Sequence, residues 1–138
     1  MHRADGWVSD VKLATSAVDS PTGATTRIGV ADGDDLSDLT AGYGRVLADD
    51  GRDNPAATAR ALVPPDMRAF LANGDEAMAA AREVAADGFD ADARGPTGAR
   101  IRYALDRDEV ALQAPLPTPT SVRDCIAFEE HLRNTIRL

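Results

Sequence analysis

Two runs near the start of the chain, residues 11–18 and 25–30, read as strands, in which the side-chain period is two. The second is rich in β-branched residues. Between them, Asp19-Ser20-Pro21-Thr22-Gly23 gathers residues with turn chemistry, and the whole predicts a hairpin. Asp32-Gly33-Asp34-Asp35 is a second turn, followed by Leu36-Ser37-Asp38-Leu39-Thr40. The period then lengthens. Thr40 is placed to cap a helix through Asp49 in which Tyr43, Val46 and Leu47 share a face. Residues 49–55 break it, 56–63 read as a short helix stopped by Pro64-Pro65, and 66–72 read as one or two turns carrying Met67, Phe70 and Leu71. Residues 76–86 form an alanine-rich helix ended by Gly88. Its apolar face, Met78, Ala81 and Ala85, is thin and predicts a place at the protein's edge.

Strand signals return at 100–105, where Ile101, Tyr103 and Leu105 alternate with polar or small residues. Asp106-Arg107-Asp108 turns the chain, and 109–113 reads as a short partner strand with Val110 and Leu112 on one face. Pro115, Pro117 and Pro119 then alternate through residues 114–120, which enforces an extended linker. The pattern predicts an α+β fold. A loose start at 1–10 precedes a domain at 11–113, in which a small antiparallel β unit from 11–30 and 100–113 encloses a helical insertion over about 40–88. Residues 121–138 open a second domain that the chain does not complete.

Composition changes the picture in two ways. The chain has 138 residues and a formal net charge of -8. That is no electrostatic footprint for nucleic acid and no polybasic membrane anchor. The charges are also unusual in kind: 18 of the 23 acids are Asp, and Lys12 is the one lysine among 15 bases. Short carboxylates in place of lysine stems suit a surface working in concentrated salt, where screening suppresses self-repulsion. A coding bias toward Ala, Gly, Asp and Arg fits the same numbers. Leu, Ile, Val and Phe total only 27 of 138 residues, so the core is thin for a chain of this charge. No apolar stretch has the length of a membrane span, no secretory signal is visible, and Cys125 stands alone. The expectation is a cytoplasmic protein.

Chemistry-bearing residues concentrate after the linker, in Arg123-Asp124-Cys125-Ile126-Ala127-Phe128-Glu129-Glu130-His131-Leu132-Arg133-Asn134. On a helix Asp124 and His131, seven residues apart, lie two turns and about 10 Å apart on one face. A carboxylate and an imidazole so placed can hold a hard cation and handle a proton; the same residues also fit a helix cap and a solvated histidine. Phe128, Leu132 and Ile136 form an apolar stripe that calls for a partner surface. Cys125 reads as an unreactive thiol. The Asp32–Asp35 turn lacks the spacing of a calcium loop and reads as a solvated turn.

A proline-rich entry followed by Arg-Asp-x-x-x-Phe-Glu-x-His-x-x-Asn resembles the junction into the catalytic domain of the fumarylacetoacetate hydrolase family. Val11-Lys12-Leu13-Ala14-Thr15, Arg27-Ile28-Gly29-Val30-Ala31-Asp32-Gly33-Asp34 and Leu36-Ser37-Asp38-Leu39-Thr40 are similar to the opening of that family's N-terminal domain. The resemblance spans about residues 11–134. It implies a metal-dependent hydrolase that cleaves a carbon–carbon bond in diketo acids, or acts on related keto acids. It implies Asp124 as a ligand of Mg2+ or Ca2+, His131 as the general base that activates water, a mixed β catalytic domain, and a homodimer through that domain. Cys125-Ile126 stand where members near the type enzyme carry Phe-Tyr, and the family's Glu-x-Glu pair, later Asp and Lys are not in this sequence. The chain is therefore expected to be the N-terminal portion of such an enzyme, inactive alone and lacking its catalytic half. The other expectation, from a different class, is a stand-alone interaction or assembly module.

Overall fold

The computed structural model describes residues 11–123 together with Arg133 and Ile136. Strands β1 (Lys12–Ser20) and β2 (Gly23–Asp32) form the predicted hairpin, in register from Lys12 opposite Ala31 to Ser20 opposite Gly23. Gly23 adopts φ 113°, a conformation in which a side chain is strained, and so lets the chain reverse after Pro21-Thr22. Strand β3 (Asp35–Asp38) folds back antiparallel onto β2. Two short strands from the far end of the domain close the edges: β4 (Arg102–Ala104) beside β3, and β5 (Ala111–Leu112) beside β1. The result is a five-stranded antiparallel sheet in the order β4-β3-β2-β1-β5, with a helical insertion between β3 and β4. The fold is α+β, as the sequence pattern predicts.

Of residues 109–113 only Ala111–Leu112 form a strand, and its partner is β1 rather than the strand before it. A 3-10 turn at Leu105–Arg107 and Asp108 at φ 53° redirect the chain. Glu109 fixes the corner by accepting the Ala104 N–H and the Arg100 guanidinium, each at 2.8 Å. Val110 is buried, while Leu112, paired with Ser16, is 60% exposed.

The insertion comprises α1 (Leu39–Asp49), α2 (Pro55–Leu62), α3 (Met67–Ala72) and α4 (Gly74–Asp87). The cap of α1 is Asp38, not Thr40: the Asp38 carboxylate accepts the Ala41 N–H at 2.7 Å. Thr40 instead donates to the Val63 carbonyl at 2.7 Å, tying α1 to the end of α2. Helix α4 also departs from the prediction. It buries Ala77, Ala80, Ala81 and Val84, while Ala85 is exposed and Met78 half-buried. This face packs into the core rather than at the edge, because its small side chains meet a glycine-bearing helix. A Cβ on Gly42 of α1 would stand 3.0 Å from Val84 and 3.2 Å from Phe89, and one on Gly44 would stand 3.0 Å from Pro96. Helices this close lose little apolar contact by carrying alanine.

Ile28 and Val30 of the sheet, Leu39 and Leu47 of α1, Phe70 of α3 and the α4 alanines form one core. On the opposite face, Leu36, Tyr103 and Val110 make a smaller cluster with Ala14, Val18 and Ala31. The period-two alternation of β2 feeds both. Among the described residues, no helix is long and apolar enough to cross a membrane.

Candidate functional site

The end of the sheet, the start of α1 and the loop before β4 converge on Asp38. Its backbone N–H donates to the Ile101 carbonyl at 2.7 Å. One carboxylate oxygen caps α1, and Nε of Arg27, from β2, stands 2.9 Å from the other. That second contact is a charge pairing without the alignment of a hydrogen bond. Asp38 is 2% exposed. Burial pushes its carboxyl above the ordinary aspartate range, although the Arg27 charge and the amides of Ala41 and Thr40 pull it down. The Tyr103 phenol is pushed up by burial and by the Asp38 charge, and Arg100 lies over the Tyr103 ring at 4.9 Å.

Beside this junction is an open cavity of about 230 Å³. Arg27, Thr40, Arg60 and Thr97 give it polar groups, and Ala56 and Ala57 from the first turn of α2 form one wall. Arg60 has no hydrogen-bond or ion-pair partner among the described residues. Further along the sheet, Arg102 binds the Asp35 carboxylate, which holds that carboxyl below its usual range. Glu109 is likewise lowered, first by the Ala104 amide and then by Arg100.

Asp38 carries a pH prediction. Because its folded-state carboxyl titrates above the unfolded one, folding takes up a proton there, and charged Asp38 costs stability at neutral pH. The Asp38→Asn protein keeps a cap acceptor and lacks this titration. Denaturant melts at several pH values should therefore show the wild type gaining on Asp38→Asn as pH falls from neutral toward the ordinary aspartate range. A constant gap would mean that Arg27 fully compensates the burial.

A second prediction concerns salt. The exposed pair Arg45–Asp49 and the half-buried pair Arg100–Glu109 weaken in salt, but pairs near the surface contribute little. The surplus of eight negative charges is spread over the whole chain, and its repulsion is screened at the same time. Relief of repulsion should win, so the melting temperature should rise between dilute and molar KCl. A flat or falling melting temperature would refute salt adaptation.

The site residues read from sequence, Asp124 and His131, lie outside the described residues, as do Cys125 and Asn134. What is described is the path that leads to them. Gln113 donates its N–H to the Thr15 carbonyl at 2.9 Å, and the Thr15 hydroxyl donates to the Pro115 carbonyl at 2.7 Å. Arg68 reaches the Thr118 carbonyl at 3.4 Å. The proline-rich segment is thus exposed but tethered across β1 and α3. Among the described residues, no group of three or more His, Cys, Asp or Glu side chains is arranged to hold a metal ion.

Sequence reasoning did not single out Arg27, Asp38 or Arg60. Asp38 was visible as an aspartate just before a helical period. Arg27 and Arg60, 33 residues apart in sequence, leave no local signal. Comparison of the chain with protein-family models, with curated proteins and with solved structures finds no match.

Proposed function

We propose that the chain forms the N-terminal portion of a fumarylacetoacetate hydrolase-like enzyme, acting with a divalent metal on carbon–carbon bonds in diketo acids or on related keto acids. The observation that carries this reading is the spacing of Asp124, His131 and Asn134 directly after the proline-rich exit. The order of elements supports it. The three N-terminal stretches that carry the resemblance supply the successive strands β1, β2 and β3 of one sheet.

Asp124, the metal ligand this reading implies, lies outside the described residues, among which no group of three or more His, Cys, Asp or Glu side chains is placed to hold a metal ion. Magnesium and calcium ions take about six oxygen ligands, more than Asp124 supplies alone, and in this reading the remaining donors come from the catalytic half. When bound, the metal would stabilise the enolate that forms as the bond breaks. This chain's own contributions are Asp124 as one ligand and His131 as the group that takes a proton from water. The substrate class is small keto acids, the setting the cytoplasm, and the assembly a homodimer through the catalytic half. DNA downstream of this reading frame should encode Glu-x-Glu, a later Asp and a Lys, in a polypeptide that co-purifies with this chain on co-expression. Downstream sequence holding none of these would count decisively against the reading.

One observation favours a second reading, a non-catalytic interaction module. Leu112, Leu116 and Val122, along the exit segment, are 60%, 40% and 84% exposed. A module of this kind would co-purify with a partner that has none of the metal ligands.

A further inference from the structure

The cavity between Arg27 and Arg60 takes no part in the proposed carbon–carbon bond chemistry, and a ligand held there does not depend on that chemistry. Its charge balance is specific. The guanidinium of Arg27 faces the buried Asp38 carboxylate through Nε, which neutralises its charge and leaves its two Nη groups as remaining donors. Arg60 lines the same space without a partner among the described residues. The site therefore carries about one uncompensated positive charge. The first turn of α2 adds to it. Asn54 precedes the helix in a left-handed conformation and makes no side-chain cap, and Pro55 has no N–H to offer. The amides of Ala56 and Ala57, at the positive end of the helix dipole, are left uncapped beside the cavity.

We propose that this cavity binds a small organic monocarboxylate, its carboxylate held by Arg60 and Arg27 and its carbon body against the alanine and proline walls. One net positive charge matches one carboxylate, whereas a phosphate dianion would leave a charge unmatched. Ala41, Ala56, Ala57, Pro96 and Ala99 offer apolar surface that a bare inorganic ion does not use. A volume of about 230 Å³ admits an acid of a few carbons. The net charge of -8 repels anions at long range. In concentrated salt that repulsion is screened within a few ångströms, while direct guanidinium contacts survive.

Butyrate is a suitable probe, with butyramide as its uncharged isostere and inorganic phosphate as the competing anion. In KCl at about 0.3 M, where long-range repulsion is screened, amide resonances of the 15N-labelled chain are followed during each titration. Butyrate should give saturating shifts centred on Ala56, Ala57 and Thr97, with millimolar affinity. Butyramide should give none, and phosphate should bind more weakly. Arg60 is exposed, so Arg60→Ala should leave the spectrum folded and weaken butyrate about tenfold, the loss expected for a charge-assisted contact. Arg60→Lys should recover part of the affinity. The proposal is overturned by shifts that do not saturate, by equal shifts from butyramide, by tighter binding of phosphate, or by an unchanged affinity in Arg60→Ala.

Discussion

Phe70→Ala is expected to remove about 3–5 kcal/mol of folding stability, the range for deleting a buried aromatic ring. Phe70 is the largest fully buried side chain among the described residues. It sits on α3, a helix of only six residues, capped by Asp66 through the Ala69 N–H at 2.8 Å. So short a helix has almost no stability of its own and is held by the ring it buries. The surrounding core is rich in alanine, which cannot move in to fill the space. Whole domains are stable by only about 5–15 kcal/mol, and a thin core with a net charge of -8 belongs at the low end. Urea melts at molar KCl should show the Phe70→Ala midpoint displaced far below the wild type, with much of the chain unfolded in dilute buffer. Leu71→Ala, on the same helix but 53% exposed, should change stability by less than about 1 kcal/mol. Equal losses from the two variants would mean that α3 is not anchored by its buried ring.

The second large effect follows from the proposed reading and concerns turnover when the chain is joined by its proposed catalytic half. His131→Ala should lower kcat by about 10²–10⁴-fold, the usual contribution of a positioned general base. Metal affinity should hardly change, because the proposed reading gives the histidine the proton and leaves the cation to Asp124. Asp124→Ala should lose both turnover and metal binding. Magnesium titrations followed by calorimetry separate the two variants. A His131→Ala protein that also loses the metal would make the histidine a ligand instead of a base.

The hairpin of residues 12–32 could be read from two strand-like runs around a five-residue turn cluster. The return strand could be read from the alternation around Tyr103, although it spans only Arg102–Ala104 of the predicted 100–105, with Ile101 before it and Leu105 in the 3-10 turn after it. The partner of β5 was not legible, since two paired residues carry no register information and the choice depends on Glu109 holding a corner. Helix positions followed the proline and glycine punctuation. The cap of α1 slipped by two residues because Asp38 and Thr40 both have capping chemistry, and only the fold shows that Thr40 is drawn away to Val63. The role of α4 was misjudged because alanines count for little on a hydrophobicity scale, yet they are what a close helix crossing requires. The Arg27–Asp38 pair and the Arg60 cavity were invisible because they join residues distant in sequence. Asp124 and His131 were legible as a spacing, and their chemistry rests on that spacing and on the resemblance it carries.

The most direct test of the central claim is turnover of an acylpyruvate with Mg2+, measured for this chain alone and for the chain co-expressed with a polypeptide supplying the Glu-x-Glu, Asp and Lys. The expected result is no turnover above the metal-only blank for the chain alone, and cleavage that requires both Asp124 and His131 in the combination. Cleavage by the chain alone that is lost in Asp124→Ala, or a combination that binds metal and folds but never turns over, would contradict it.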